Sequence, residues 1–406
     1  MDEQGGARAG TATQSRHFLF LYALAWAGGS ISYVPLLTIL LPVRVDELAL
    51  GAGASKVDWL AYIAFSGAIA ASAANILFGW LSDITRNRRG WILGGLLWSC
   101  ILLVALPLAK DLFPLIALIV IWQCGINMML GPLGAWAGDS VPDSQKGLLG
   151  GLLAFAPPIG ALSGAIVTIP GLASADQRLW LVAAMVAGAV LPVVLFGRPR
   201  KFPELMAGDT AKSDHPFAHF KGDAAVQRMW LARLLVQIAE AALFAFLYFW
   251  LRSLDETFGD NRTATVFTIA LAAAIPVALL AGRWADRRNR PIFPIALAAI
   301  VSAGGLLVMG LAPGIQVAIA GYLIFGIAST AFLSLHSAQT LRVLPRPENR
   351  GRDLGIFNLT NTVPSLIMPW LTLGLVPVFG FSGLFLLLAL LAFLAGLLLL
   401  SLSRRD

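Results

Sequence analysis

The chain has 406 residues, of which 58% are hydrophobic and only 13% are charged, and its formal net charge is +7. A water-soluble protein of this length could not bury so much apolar surface, so the composition excludes an ordinary soluble domain and indicates that lipid is the main solvent. The positive charge does not indicate a nucleic-acid partner, because the arginines lie in short segments between apolar runs, as in membrane proteins with basic cytoplasmic loops.

Residues 1–16 are polar and rich in Gly, Ala and Thr, which predicts a disordered cytoplasmic tail. Twelve apolar runs follow, and the first is too long for a cleavable signal peptide. Most have about 20 residues or more, enough for a helix to cross about 30 Å of hydrocarbon, and continuous apolar runs are not barrel strands. The prediction is an all-α membrane protein with twelve transmembrane helices. The runs are 18–43, 59–82, 91–109, 112–136, 147–170, 179–197, 229–251, 264–285, 291–312, 315–338, 353–379 and 381–402.

The distribution of basic residues predicts the orientation. With the N-terminus in the cytoplasm, the inner segments hold 22 of the 29 lysines and arginines and the outer segments hold six. We therefore expect a multi-pass protein of the plasma (inner) membrane with both termini cytoplasmic. The one long connection contains three prolines and mixed charge, which is typical of a linker. The predicted domains are the tail at 1–16, a six-helix bundle at 17–197, a cytoplasmic linker at 198–228 and a second six-helix bundle at 229–403.

One motif occurs after the second apolar run and again after the eighth. In each copy a glycine is followed, after three residues, by an aspartate and then by clustered arginines. Asp83 and Asp286 are 203 residues apart in a chain of 406, so the chain looks like one six-helix unit written twice. Because six is an even number, both halves start on the same side of the membrane and are parallel repeats.

This arrangement resembles the major facilitator superfamily over almost the whole chain. The resemblance implies a secondary transporter that works by alternating access, with two bundles moving about a substrate site near the midplane. The first motif departs from the family pattern, because Ile84 follows Asp83 where arginine is usual, whereas Asp286-Arg287 agrees with it. The stretch from Ser82 to Gly90 is also similar to melibiose-type and sucrose-type sugar–cation symporters, and Arg88-Arg89-Gly90-Trp91 to muropeptide permeases.

The two motifs are predicted to gate the transporter. Their glycines allow close approach of helices at the inner surface, and their aspartates can pair with arginines or a helix N-terminus in one conformation and release them in the other. The alternative is that the arginines only determine topology. The predicted gating residues are Gly79, Asp83, Arg86, Arg89, Gly282, Asp286, Arg287 and Arg290.

The seventh apolar run contains charges, which are costly in hydrocarbon and therefore point to function. Arg233, Gln237, Glu240, Phe244 and Tyr248 follow one another at steps of four, three, four and four, so they share one face of a helix. Glu240 is expected about 15 Å into the helix, near the middle of the bilayer. We predict that Glu240 and Arg233 couple transport to protons, and a static pair or polar network is the alternative.

Uncharged polar residues on other runs supply the predicted substrate site. In the family's layout helices 1, 4, 7 and 10 line a central cavity, and amides and aromatic rings suit hydroxyl-rich or mixed polar–aromatic solutes. Each polar stripe could instead serve helix packing. The predicted substrate-binding residues are Tyr22, Trp26, Gln123, Asn127, Gln237, Tyr248, Asn358 and Asn361.

The fifth run bears on the direction of transport. The stretch from Ala156 to Ala161 loosely resembles the Gly-Pro-x-x-Gly-Gly signature of drug antiporters, but Gly160 and Gly164 also form a small-xxx-small pair that packing would explain.

No enzyme motif, P-loop or metal-ligand cluster occurs in the sequence, so we expect neither an enzyme nor a cofactor. The leading prediction is a monomeric symporter for proton-coupled uptake of a small, sugar-like solute. The alternatives are proton-coupled efflux of amphipathic compounds or drugs and, in another class, a non-transporting membrane receptor or scaffold.

Overall fold

The computed structural model describes residues 13–200, Phe202, and residues 224–343 and 350–403, except the side chains at 143–144, 147, 338, 341–343, 350–358 and 403. Throughout these ranges the secondary structure is helical, and they contain no strand. Eleven helices in them are long and apolar enough to cross a membrane. Gly380, with φ 64° and ψ −175°, divides the last of these into two helices. The predicted all-α membrane fold is confirmed.

We number the membrane helices α1 to α12, and each corresponds to one predicted apolar run. Three of them are irregular: α1 contains a π-helical turn, α5 is broken at Ala154 and Phe155, and α11 and α12 are the parts of Arg350–Ser403 before and after Gly380. The bounds of the first ten helices are α1 Arg16–Gly51, α2 Lys56–Thr85, α3 Arg88–Ala105, α4 Leu112–Ser140, α5 Asp143–Leu153 with Ala156–Val167, α6 Ala175–Phe196, α7 Ala224–Leu254, α8 Asp260–Arg288, α9 Ile292–Gly310 and α10 Ile315–Val343.

The ends of α2 and α8 show the internal repeat in the backbone. Arg86 ends α2 with φ 49° and Asn289 ends α8 with φ 50°, both in the left-handed conformation that closes a helix. These are the non-glycine residues with positive φ in the described part of the chain, and they are 203 positions apart. The spacing that relates Asp83 to Asp286 therefore also relates the turns that follow them.

The bundle has two ends, which we call the basic end and the opposite end. The basic end carries the start of α1 and the turns at Arg86 and Asn289, and the opposite end carries Gly51, Lys56 and Asp260. Since α7 begins at Ala224, it starts before the predicted domain boundary at 229. Most of the predicted linker, residue 201 and residues 203–223, lies outside the described residues.

The predicted tail at 1–16 is ordered at its end, contrary to expectation. Gln14 is only 2% exposed, and its side-chain amide donates to the carbonyl oxygens of Ser140 at 2.8 Å and Arg200 at 3.2 Å. Its backbone N–H donates to Oε1 of Gln145 at 2.6 Å. These bonds satisfy a carbonyl group at the end of α4 and another in the segment that follows α6, which a polar composition alone does not reveal. Residues 1–12 lie outside the described residues.

Glycines set the closest helix contacts. A Cβ at Gly95 of α3 would lie 2.4 Å from the backbone nitrogen of Met129 in α4, and one at Gly305 of α9 would lie 2.5 Å from that of Phe325 in α10. A Cβ at Gly160 would lie 2.6 Å from the carbonyl oxygen of Ser30 in α1, so the packing interpretation of this glycine in the fifth run is confirmed. Helices in lipid gain van der Waals contact at such small residues.

Candidate functional site

A cavity of about 300 Å³ lies between the two halves, near the middle of the spans. Both halves build it, because its walls come from α1, α2 and α4 of the first half and from α7 and α11 of the second. Helix α10, which was expected to line it, contributes no wall residue among those described. The lining side chains that can bind or orient a solute are Tyr33, Ser72, Gln123, Gln237, Glu240, Phe244, Asn361, Thr362 and Ser365.

Glu240 is the only carboxylate among the described residues that line the cavity. It interacts with the hydroxyl of Ser329 on α10 and, at longer range, with the guanidinium of Arg233. These two α7 charges make no direct ion pair. Arg233 instead donates from Nη1 to Oγ of Ser337 at 2.8 Å and from Nη2 to Oδ1 of Asn361 at 3.3 Å. The helical stripe read from the sequence thus places a carboxylate in the cavity and an arginine nearer the basic end.

The amides of the cavity come from three helices. Gln123 of α4 lines it with only 3% of its surface exposed, and the amide of Gln237 contacts Oδ1 of Asn361 at 2.5 Å. Asn361 and Ser337 are exposed, so solvent reaches the cavity from its basic-end side. Gln123, Gln237 and Asn361 are therefore the three predicted substrate-binding residues that the fold brings together beside Glu240.

An aromatic contact between the halves forms the other wall. The Tyr33 ring stacks on Phe244 at 5.7 Å between centroids and on Trp122 at 6.2 Å, and both Tyr33 and Gln123 line the cavity. Tyr33 was absent from the predicted site. The sequence did contain a signal for it, because Tyr33 lies on the same aromatic face of α1 as Tyr22, eleven residues further along. That spacing does not indicate which of the aromatic residues on this face reaches the cavity.

Tyr22 and Trp26 lie outside the cavity lining. The Tyr22 side chain is 1% exposed, its hydroxyl donates to the carbonyl oxygen of Leu133 at 2.9 Å, and its ring stacks on Trp26 at 6.3 Å. Both aromatic residues pack between α1 and α4. Helix packing was the alternative to substrate binding for these predicted residues.

Asn127 and Tyr248 also serve contacts elsewhere. Asn127 accepts from Nδ2 of Asn75 at 3.1 Å, which joins α4 to α2, and Tyr248 accepts from Nη1 of Arg252 at 2.8 Å near the opposite end. Asn358 is among the residues whose side chains are not described.

Arg88 organises the first motif at the basic end. It pairs from Nη2 with Asp83 at 2.5 Å and from Nε with Asp139 at 2.9 Å, and its Nη1 donates to Oγ of Ser82 at 2.6 Å. The arginines of this motif predicted to take part in gating were Arg86 and Arg89. Arg86 instead closes α2 by its backbone, and the Arg89 guanidinium lies 5.5 Å from the centre of the Trp136 ring.

The two motif glycines differ in how closely other helices approach them in this conformation. A Cβ at Gly79 would meet no atom within 4 Å, and one at Gly282 would meet only Leu335, at 3.5 Å. The backbone of Gly79 nevertheless lies close to α4, because a Cβ at Gly131 would lie 3.1 Å from the carbonyl oxygen of Asn75 and 3.4 Å from the backbone nitrogen of Gly79. In the second motif Asp286, Arg287 and Arg290 are exposed.

The halves are joined at the opposite end. Asp46 of α1 pairs with Nη1 of Arg252 on α7 at 3.0 Å and with Nζ of Lys56 at 2.7 Å. Arg178 of α6 pairs with Asp260 of α8. Hydrogen bonds and ion pairs observed between described residues of the two halves all lie at this end, so they close the cavity on that side.

A further bond links α8 to α5 at the same end. Nδ2 of Asn261 donates to the carbonyl oxygen of Ala165 at 2.7 Å. It satisfies a carbonyl in the last turn of α5, which receives no backbone N–H of the helix and otherwise accepts only from the Thr168 hydroxyl at 3.3 Å.

Two six-helix halves around a central cavity, joined at one end, define a membrane transporter of the alternating-access class. The family model of the Major Facilitator Superfamily matches residues 18–345 and, again, residues 229–406. The chain belongs to this superfamily, and it is a transporter and not an enzyme.

Solved structures of transporters share this fold at low sequence identity. A bacterial homologue of the human lysosomal transporter Spinster, inward-facing and unoccupied, is 15% identical with a TM-score of 0.72 over 95% of this chain and 97% of that chain. A POT family transporter in complex with 5-aminolevulinic acid is 15% identical with a TM-score of 0.74 over 96% of both chains. Another, in complex with a thioalcohol-conjugated peptide, is 14% identical with a TM-score of 0.75 over 96% of both. No curated protein matches the sequence.

Proposed function

We propose that the protein is a proton-coupled symporter that takes up a small polar organic solute, with sugar-like compounds as the first substrate class. The observation that carries this proposal is Glu240, a carboxylate in the cavity beside three amides and without a direct ion pair. An ionised carboxylate is costly in a low-dielectric site without a partner. Glu240 therefore takes up a proton when the cavity is closed and exchanges it when the cavity opens to water.

The basic end is the cytoplasmic end in this proposal, which puts the protein in the plasma (inner) membrane with both termini in the cytoplasm. The excess of lysine and arginine in the segments at that end supports this orientation. The contacts of Asp46 and Arg178 then lie at the external side, and the present conformation is inward-facing. The inner gate in this proposal includes the Asp83–Arg88–Asp139 cluster. All three of these residues belong to the first half, so their contacts do not cross to the second half.

The substrate class follows from the size and the lining of the cavity. A volume of about 300 Å³ lies at the small end of ligand pockets and favours a compact solute. Gln123, Gln237 and Asn361 offer both donors and acceptors, which suits a molecule with several hydroxyl groups. The stacked rings of Tyr33 and Phe244 offer a flat apolar face, which suits the apolar face of a sugar ring.

Efflux of amphipathic compounds is the second candidate, and a specific observation supports it. Much of the lining is apolar, with Leu37, Ile63, Phe244 and Met368 contributing side chains beside the amides. Such a surface suits a solute with an apolar body and one polar or cationic group. In that case Glu240 would exchange its proton for the solute.

The test is a transport screen in right-side-out and inside-out vesicles, with and without a pH gradient. Uptake of a sugar-like solute driven by inward protons supports the proposal, and outward movement of amphipathic dyes supports the second candidate.

Site variants then assign the transported solute to the cavity. Gln123→Ala and Asn361→Ala should each weaken binding several-fold, since a lost polar contact is worth about 1 kcal/mol. Tyr22→Phe is the matched control, because its hydroxyl bonds to Leu133 outside the cavity. Unchanged affinity in both alanine variants would place the site elsewhere.

A further inference from the structure

Arg233 of α7 is surrounded by neutral hydrogen-bond partners. Its Nη1 donates to Oγ of Ser337 on α10 at 2.8 Å, and its Nη2 donates to Oδ1 of Asn361 on α11 at 3.3 Å. With the Gln237 amide oriented so that its oxygen faces Nε of Arg233, that oxygen accepts a further bond at 3.2 Å. The guanidinium group is therefore held in place by three helices, but none of these contacts balances its charge.

Other arginines that join helices do have a carboxylate partner. Arg252, on the same helix, pairs with Asp46 at 3.0 Å, and Arg178 of α6 pairs with Asp260. Among the residues that the structure describes, Arg233 pairs with no carboxylate. A cation within a membrane span is costly, and such charges commonly mark the path of a substrate or an ion.

The guanidinium group of Arg233 lies beside the cavity on its basic-end side. Two of its partners, Gln237 and Asn361, line the cavity, and Asn361 and Ser337 are exposed. A solute that enters from the basic end therefore meets Arg233 before it reaches Glu240, which lies about 10.5 Å further along the axis of α7. An anionic group at this point replaces neutral acceptors with charged ones, which form hydrogen bonds about twice as strong.

The two charges of α7 set a balance for each loaded state. Without ligands, the positive charge of Arg233 and the negative charge of ionised Glu240 cancel. A proton on Glu240, alone or with a neutral solute, leaves one positive charge, and a monoanion without a proton leaves one negative charge. A proton together with a monoanion restores the balance. Because an uncompensated charge is costly once water leaves a closed cavity, this combination closes most easily.

The same balance favours a carboxylate over a phosphate. A phosphate monoester carries a charge of about −1.5 to −2 at neutral pH, which exceeds what one guanidinium group can balance beside a protonated Glu240. A carboxylate carries one negative charge, and its two oxygens match the planar fork of guanidinium donors. The cavity volume of about 300 Å³ favours a compact molecule.

We propose that Arg233 binds a carboxylate of the transported solute and that the substrate class is the hydroxylated monocarboxylates, such as sugar acids. The carboxylate lies at Arg233, and the hydroxyl groups bond to the cavity amides of Gln123 and Gln237. This inference rests on the proposed function, from which it takes the proton on Glu240 and the polyhydroxylated solute.

Two matched pairs of solutes test the requirement for an anion in proteoliposomes. Gluconate and sorbitol share an open chain and differ in one carboxylate, and glucuronate and glucose share a ring and differ in the same way. With the outside more acidic by one pH unit and the membrane potential at zero, the acidic member of at least one pair should accumulate about tenfold. Its neutral partner should not accumulate. Protein-free liposomes control for passive entry of the protonated acids.

The membrane potential gives a second readout in the same vesicles. A proton and a monoanion together carry no net charge, so an inside-negative potential should leave the accumulation of the acid unchanged. A proton that moves with a neutral solute carries one positive charge, and the same potential would raise its accumulation. Accumulation of the acid that rises with the potential would overturn the inference.

The outcomes separate this inference from the proposed function. If sorbitol or glucose accumulates and its acidic partner does not, the proposed function stands and the anionic class is wrong. Equal accumulation of both members of a pair would also refute selection of an anion by Arg233. If none of the four solutes accumulates, uptake of a sugar-like solute fails, and the inference that rests on it fails too.

Substitutions of Arg233 test its role with the acid that is transported. Arg233→Gln removes the charge but keeps hydrogen-bonding groups, and it should weaken the affinity for the acid about tenfold or more. Arg233→Lys keeps the charge without the fork and should recover part of this loss. Arg228→Gln is the matched control, because Nη1 of Arg228, on the same helix, donates to Oγ of Ser401 on α12 at 2.9 Å. It should leave the affinity unchanged.

The neutral partner of the acid distinguishes binding from a structural role. Its affinity, measured as inhibition of uptake of the acid, should be the same in Arg233→Gln as in the unmodified protein. If the substitution weakens binding of the acid and of its neutral partner equally, Arg233 only holds the cavity amides in place, and the inference is overturned.

Discussion

Replacing Glu240 with glutamine tests proton coupling most directly. Glutamine keeps the size of the side chain and can still bond with the Ser329 hydroxyl, but it cannot gain or lose a proton in the physiological range. The amides of Gln123 and Asn361 remain in the cavity. We therefore expect the variant to bind its solute and to exchange it across the membrane at equal concentrations.

The expected magnitude follows from the number of carboxylates in the cavity. Glu240 is the only one among the described lining residues, so we expect one proton per transport cycle. A difference of one pH unit is worth about 1.4 kcal/mol per proton, which supports about tenfold accumulation of solute when the membrane potential is zero. The glutamine variant should show no accumulation under the same gradient.

The assay uses purified protein in proteoliposomes, with the membrane potential held at zero by a potassium ionophore and equal potassium on both sides. Glu256→Gln is the matched control, because that carboxylate is exposed in the turn after α7 and lies outside the cavity. It should accumulate solute like the unmodified protein. If the Glu240 variant still concentrates solute about tenfold, Glu240 is structural and the coupling proton binds elsewhere.

Three further predictions concern the gates and the packing. Arg88→Ala should slow transport while solute affinity stays unchanged, because its bonds to Asp83 and Asp139 lie at the basic end, and an equal loss of affinity would argue against gating. Arg252→Ala should raise the labelling of a cysteine introduced into the cavity wall, by a reagent added from the opposite end, about tenfold or more, since a charged hydrogen bond is worth about 1.5–3 kcal/mol, and unchanged labelling would mean that its pair with Asp46 does not hold the gate. Gly95→Ala should cost about 1–3 kcal/mol of stability by overpacking, measured as a lower unfolding temperature, whereas its control Gly188→Ala, with open space at the Cβ, should be silent.

Sequence alone determined the features that depend on local chemistry. Lipid cannot satisfy backbone polar groups, so each long apolar run had to be a helix, and all twelve are. The spacing of 203 residues was readable from Asp83 and Asp286, and the left-handed turns at Arg86 and Asn289 repeat it. The position of Glu240 in the cavity was also readable, because helical periodicity places Gln237, Glu240 and Phe244 on one face.

Only the tertiary structure decided which partner each side chain meets. Helical periodicity groups Tyr22, Trp26 and Tyr33 on one face of α1, but only Tyr33 reaches the cavity, because the first two lie against α4. A cluster of neighbouring arginines looks uniform in sequence, yet Arg88 alone bridges two carboxylates, since it starts α3 beside the end of α4.

The contacts between the halves could not be read from the sequence at all. Asp46 and Arg252 are 206 positions apart and lie on different repeats, so no spacing connects them. The π turn likewise has no periodic signature beyond two prolines. Periodicity records how side chains are arranged around one helix axis, whereas the rotation, tilt and depth of each helix against its neighbours are set by packing across the whole bundle.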